Sequence, residues 1–323
     1  MPELPEVETV RQKLKTEIVG KTIQEIEIYK PKDETKKRKS LIKEISEEEF
    51  INLLKNKTIY EVDRKGKYLF FILGSEGENT HVLVNHLGMT GKYFIEEKIL
   101  NSTAEQKNSP ADSRNKDKIS LSPRVLFEKH NTDDSRVLTF HLGSGQESTK
   151  LIYCDFRRFG NFRLQELKKY QQLKPYQSIG LDLLNDQIDP LYLFNHYQKR
   201  KVSIKIVLLE QDIISGIGNI YASEVLFQAK IHPLKKTNEL TYSEVEKIIS
   251  WAQIILKDAL KLGGTSAFDF INPLAQEGSY QHKLKVYGRS KKPCFDCGNL
   301  IKKLEKETNN RSTFFCPECQ KMT

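Results

Sequence analysis

The sequence predicts an α+β protein: an N-terminal β-sandwich with flanking helices, then a helical second half that closes in a cysteine-bounded β-hairpin. Three observations carry that expectation. Strand-like runs fill residues 22–29, 59–63, 67–73, 80–85, 136–142 and 150–154. Helical-period segments with start and stop signals dominate after residue 187. Two Cys-x-x-Cys pairs, Cys294/Cys297 and Cys316/Cys319, bound the last segment.

Taken in order, the first helix is marked by Pro5 in its first turn, by Val7, Val10 and Leu14 at helical spacing, and by Gly20 as its stop. Ile26 and Ile28 then alternate with Glu25 and Glu27, as a half-buried strand requires. Ser46 with Glu49 makes a capping box for a short helix carrying Phe50, Leu53 and Leu54. Residues 98–135 break the pattern. From Asn101 to Lys118 the chain is Ser, Asn, Asp and Lys with almost nothing to bury, so 98–135 is expected to be a disordered insertion in a domain spanning 1–168. A linker over 169–186 leads to a helical domain over 187–289 and a metal-binding hairpin over 290–323. Asp189 and Pro190 open one helix, 200–210 continue in helical period, and a glycine turn at 215–218 leads into a helix over 219–229. Thr241 with Glu244 caps the longest helix, whose stripe runs from Val245 through Ala252 to Leu260 before Gly263 and Gly264 end it. That stripe reads as core.

A chain of 323 residues suits two domains. It has no run of about 18 apolar residues, and glutamates stand where a signal peptide would carry lysines, so a soluble cytoplasmic protein is expected. The net charge of +9 is uneven: residues 283–323 hold ten Lys/Arg against four Asp/Glu, and residues 30–43 hold seven against two. A polyanion partner would account for that distribution, as would a merely solvated surface. Among five cysteines, the two pairs are separated by eighteen residues, a spacing that reads as a structural zinc site with four thiolate ligands and no open position. Arg311 sits near the tip of the hairpin these cysteines would staple.

Two further features bear chemistry. Ser215-Gly216-Ile217-Gly218-Asn219 precedes a helix start, where backbone amides can face an anion, and Lys205 can add a point charge. The chain opens Met1-Pro2-Glu3-Leu4-Pro5-Glu6. Removal of the initiator methionine would leave Pro2 as a free secondary amine, able to attack a sugar C1′ and form an iminium. Glu3 stands beside it as a general acid/base. An acidic helix start alone would also explain these glutamates.

The opening MPELPEVETVR, with GKYL at 66–69, NHLGMTG at 85–91, RRFG at 157–160, GIGNIYASE at 216–224, VYGR at 286–289 and the cysteine pairs, closely resembles the formamidopyrimidine-DNA glycosylase (MutM) family. The matches run in family order along the whole chain, apart from 98–135 and parts of the linker. The resemblance implies a helix–two-turn–helix domain around the glycine turn and a zinc-finger hairpin with one structural zinc ion. It also implies a bifunctional glycosylase/lyase that acts as a monomer on damaged duplex DNA, without a membrane. It would excise oxidised purines and cut the abasic site by β,δ-elimination. Pro2 would be the nucleophile and Glu3 the acid for the ribose ring oxygen. Lys67 would stand at the phosphate beside the reacting sugar, with Arg311 in the catalytic set. Met89, Arg158 and Phe159 would fill the gap left by the extruded nucleotide. His130, Lys205 and Asn219 would contact DNA. Glu6 and the backbone around Gly278, Ser279 and Tyr280 would form the lesion pocket. Three departures stand out: Phe156 where the family has proline, a cysteine loop two residues longer, and Gly278-Ser279-Tyr280 where relatives often have Gly-Tyr-Phe. An endonuclease VIII-like enzyme for oxidised pyrimidines and a non-catalytic zinc-ribbon DNA-binding protein are the alternatives.

Overall fold

The computed structural model describes residues 2–30, 40–101, 122–145, 147–170, 172, 176–267, 269–305 and 308–322. The N-terminal part runs α1 (Leu4–Ile18), β1 (Thr22–Ile28), β2 (Ile42–Lys43), α2 (Glu47–Leu54), β3 (Thr58–Lys65), β4 (Tyr68–Ser75), β5 (Glu78–His86) and β6 (Lys92–Ile95). It continues through α3 (Glu96–Leu100), α4 (Pro123–His130), β7 (Arg136–Ser144), β8 (Glu147–Cys154), β9 (Asn161–Glu166) and α5 (Leu167–Tyr170). Next come β10 (Leu181–Asp182), α6 (Pro190–Tyr197), α7 (Ile204–Leu209), β11 (Ile214–Ser215), α8 (Asn219–Gln228) and α9 (Tyr242–Lys261). A hairpin of β12 (Lys302–Leu304) and β13 (Thr313–Phe315) follows.

The sandwich is one hydrogen-bonded sheet folded on itself, in the order β2-β9-β5-β4-β3-β1-β7-β8-β6. β1 meets β3 only at Thr22↔Thr58 but runs along β7 from Thr22 to Ile28, with a register shift between Ile23 and Glu25. A bulge of this kind bends a strand and raises its twist, letting the sheet turn back into two layers. Phe71 of β4 faces Tyr93 of β6, with ring centroids 5.9 Å apart, and Tyr153 of β8 meets Phe162 of β9 at 4.8 Å. α1 lies over this core with Val7, Val10, Leu14 and Ile18 buried. Its first residue, Leu4, is buried instead in the second core, with residues of α7, α8 and α9. The caps act as the sequence implies: Ser46, Asp189 and Thr241 each accept from a backbone amide of the helix they start.

Two expectations are corrected. The reading of 98–135 as disordered fails at both ends, because α3 and α4 are helices whose Ile99, Leu126 and Phe127 pack on Phe94, Ile152 and Cys154. Apolar residues at the margins of that polar stretch have a core to join. The stretch 102–121 lies outside the described residues. The 169–186 linker is not all connection either: β10 pairs in parallel with β11, and Asp182 is buried. Among the described residues, no helix is long and apolar enough to cross a membrane.

Candidate active site and nucleic-acid interface

Pro2 is buried at the seam between the two halves. Glu3, which precedes α1, directs its carboxylate at the far half. Its Oε2 accepts from Gly218 N at 2.7 Å and Tyr221 N at 3.3 Å, and its Oε1 accepts from Ile220 N at 2.8 Å. These amides belong to the start of α8, where no helical carbonyl is available to them and the helix end is positive. Gly218 is needed there, because a Cβ would lie 2.4 Å from the Glu3 carboxyl carbon. The sequence alone turns these amides outward for a phosphate; in the structure their occupant is Glu3.

Glu6 is held as closely. Its Oε2 accepts from Glu3 N at 2.8 Å, and its Oε1 accepts from the Tyr221 hydroxyl at 2.5 Å and from Thr265 N at 2.7 Å. Burial, reinforced by the Glu3 charge, pushes its pKa up to about 7. Lys67, also buried, donates to Ile217 O at 2.7 Å. Burial lowers its pKa, the Arg311 charge lowers it further, and Glu3 and Glu6 oppose both. Lys67 therefore feels the charges of Glu3, Glu6 and Arg311, which come from the two ends of the chain. The Arg311 backbone is fixed, its carbonyl accepting from the hydroxyls of Thr308 and Thr313, while its side chain is exposed.

Sequence reasoning misses the groups that aim these side chains. The turn carrying Lys67 is pinned by Asp182, which accepts from Gly66 N at 2.8 Å and from Arg64 Nη1 at 2.5 Å. Arg64 in turn donates to Gly66 O at 2.9 Å and to Glu8 Oε2 at 2.8 Å. A charged residue spaced 118 positions from its partner leaves no local signal. Tyr221 and Thr265, which hold Glu6, are likewise invisible in the sequence.

Lys205 is corrected. It is fully buried, and its Nζ donates to Asn219 O and Ser223 Oγ, both at 2.9 Å, so it offers no charge to a surface phosphate in this conformation. Burial takes its pKa down to about 7. Asn219 donates from Nδ2 to Ser312 O at 2.7 Å, tying α8 to the hairpin beside Arg311. The amides expected to face a lesion are engaged within the chain. Those of Gly278, Ser279 and Tyr280 donate to Ser266 Oγ, Leu262 O and Gly264 O. His130 ends α4, its Nδ1 3.1 Å from Lys92 Nζ, and burial with that nearby charge lowers its pKa to about 4.

Met89 and Phe159 are exposed, and two loops bring them together. A Cβ on Gly88 would lie 2.5 Å from the Phe159 carbonyl carbon, so the backbones touch there. Asp155 clamps both loops, accepting from Thr90 Oγ1 at 2.5 Å and from Gly160 N at 2.7 Å. Arg158, in the second of these loops, has φ +51°, and its Nη2 donates to Arg136 O at 3.4 Å. At the far end, the Sγ atoms of Cys294, Cys297, Cys316 and Cys319 all lie within 4.8 Å of one another. Tetrahedral ligation at about 2.3 Å per Zn–S bond requires sulfurs roughly 3.8 Å apart, so the donor set fits one such ion. Cys154 is buried among apolar side chains, and burial pushes its thiol up to about 12.

The chain matches the model of the formamidopyrimidine-DNA glycosylase N-terminal domain over residues 1–162 and that of the formamidopyrimidine-DNA glycosylase H2TH domain over 179–270. It is 36% identical to the formamidopyrimidine-DNA glycosylase of Mycoplasma mobile across 100% of both chains. Among solved structures it is similar to the Lactococcus lactis Fpg complexed with DNA containing an abasic site, with 31% identity and a TM-score of 0.77, covering 99% and 100% of the chains. It is similar, too, to a mutant of that protein in complex with Fapy-dG DNA, with 32% identity and a TM-score of 0.78 over the same shares.

Proposed function

The chain belongs to the formamidopyrimidine-DNA glycosylase family, and from that premise we propose that it excises oxidised purines from duplex DNA and cleaves the resulting abasic site through a Schiff base on Pro2. The observation that carries the reading is the convergence beside Pro2 of Glu3, Glu6 and Lys67, with the charge of Arg311 reaching Lys67.

The damaged nucleotide is extruded, since its C1′ is out of reach inside the duplex. The Pro2 nitrogen, freed of Met1, bonds to C1′, and the base leaves with the electrons of the glycosidic bond. Glu3 supplies a proton to the ribose ring oxygen as the sugar opens. The iminium then acidifies the C2′ proton, and its loss expels the 3′ phosphate. A second elimination expels the 5′ phosphate. Lys67, on exchanging its bond to Ile217 O, and Arg311 would contact these phosphates, and Met89, Arg158 and Phe159 would occupy the vacated space, with Arg158 reading the orphan base. Cys294, Cys297, Cys316 and Cys319 would hold one zinc ion that folds the hairpin carrying Arg311 and takes no part in the chemistry. Asn219 and His130 would join the DNA contacts.

Borohydride reduction during turnover on an 8-oxoguanine:C duplex tests the reading. It should leave a covalent adduct that maps to Pro2. An adduct on a lysine side chain would sink the nucleophile assignment, and faster turnover of an oxidised-pyrimidine duplex would sink the substrate class.

A further inference from the structure

The clamped loop after β8 carries a feature that the proposed reaction does not use. Phe156 is 72% exposed, more than any other large apolar side chain among the described residues. The loop does not leave it outside for lack of order. Asp155 N donates to Ser135 O, Arg157 N donates to Thr90 Oγ1, and Gly160 N donates to Asp155 Oδ2. Both neighbours of Phe156 are therefore fixed, and its backbone is held in the position that displays the ring.

The ring borders an open groove of about 630 Å³ that is also lined by Lys43, Arg157, Arg158, Phe159 and Asn161. Its lining includes three basic residues and two aromatic ones, and no carboxylate. The Arg157 guanidinium lies 4.7 Å from the Phe159 ring centroid. Aromatic faces beside cations, without acids, are the chemistry that holds an unpaired nucleotide: the ring stacks on the base and the cations take its phosphate. The groove is lined by Arg158 and Phe159 and not by Pro2; on the reading above Arg158 meets the orphan base, so a base beside it belongs to the strand that is not cut. We propose that Phe156 is a specificity-determining residue that stacks on the unpaired base opposite the lesion. The proposal rests on the reading of the chain as a lesion-extruding glycosylase.

The test uses the full chain and a duplex with a tetrahydrofuran abasic analogue opposite 2-aminopurine, whose fluorescence reports stacking. Phe156→Leu, which keeps an apolar side chain but loses the ring face, should weaken binding about tenfold and leave the probe unquenched. Phe156→Tyr should match the unsubstituted chain on both readouts. Equal affinity and equal quenching for Phe156→Leu would overturn the stacking role. If the unsubstituted chain itself fails to retain this duplex, the glycosylase reading falls and the Phe156 proposal falls with it. The two failures are thereby told apart.

Discussion

Replacing Glu3 by Gln should reveal that one carboxylate both joins two halves of the chain and serves the reaction. Gln keeps the volume and one oxygen, but it sets an NH₂ group against at least one of the amides of Gly218, Ile220 and Tyr221 that now donate to Glu3. A hydrogen bond to a charged group contributes about 1.5–3 kcal/mol. The loss of negative charge at the α8 start removes roughly another 0.3–1 kcal/mol. With one or two of the three bonds lost and no water able to replace them at a side chain 1% exposed, the penalty is on the order of 3 kcal/mol. Thermal unfolding of the DNA-free protein should accordingly fall by several degrees. Single-turnover assays should show base excision reduced by about 10²–10⁴-fold, with cleavage of a pre-formed abasic site reduced less, because that sugar has already lost its base. An unchanged melting temperature would refute the hydrogen-bonding argument. Equal loss on both substrates would refute the proton-donor role.

Other variants probe the surrounding frame. Asp182→Asn breaks the buried pair with Arg64 and frees the Gly66 turn, so it should cost about 3–5 kcal/mol in a denaturant titration and lower kcat through Lys67. Lys205 has a folded pKa of about 7, below its ordinary 10.5, so the unfolded chain binds the extra proton between those values and the folded state gains stability as pH rises through that window. Lys205→Met should therefore raise the melting temperature more at pH 6 than at pH 10 and flatten the pH profile; parallel profiles would contradict this. Metal analysis of active protein should find about one equivalent of zinc, and chelation should abolish DNA binding while the sandwich stays folded. Arg158→Ala should shrink the preference for 8-oxoguanine opposite C over opposite A by about 1–3 kcal/mol, read from cleavage ratios.

What the sequence makes legible is local chemistry. The caps at Ser46, Asp189 and Thr241, the long helix and its glycine stop, and the paired cysteines are each encoded within a few residues of themselves. β2 has no such signal, because Ile42 and Lys43 become a strand only by pairing with Phe162 and Arg163. β9 does alternate, with Phe162 and Leu164 buried, and is simply absent from the strands read in the sequence. β6 escapes notice for a different reason: all four of its residues are buried, so no alternation marks it. The helical period over 200–210 yields only the short α7, and the polar composition of 98–135 hides α3 and α4. The site follows the same division. Pro2, Glu3, Lys67 and the cysteines can be nominated from their motifs, whereas Asp182, Tyr221, Thr265 and Asp155 act through partners distant in the chain. Lys205 is misplaced by the sequence because a lysine is ordinarily at the surface, and only the packing of α7 beneath α8 puts it inside.

The bonds from Glu3 to α8 span 215 to 218 residues, which gives the site a place in time as well as in space. At roughly 5–20 residues per second of synthesis, about 10–40 s separate the emergence of Glu3 from that of its partners. During that interval a nascent chain can pair its sheet, yet its second residue lies beside a carboxylate with nothing to hold it. The carboxylate gains its amide donors only when the later half docks, with Leu4 N donating to Gly216 O. On a ribosome stalled before the α8 sequence, Glu3 would lack all three of the amides that hold it.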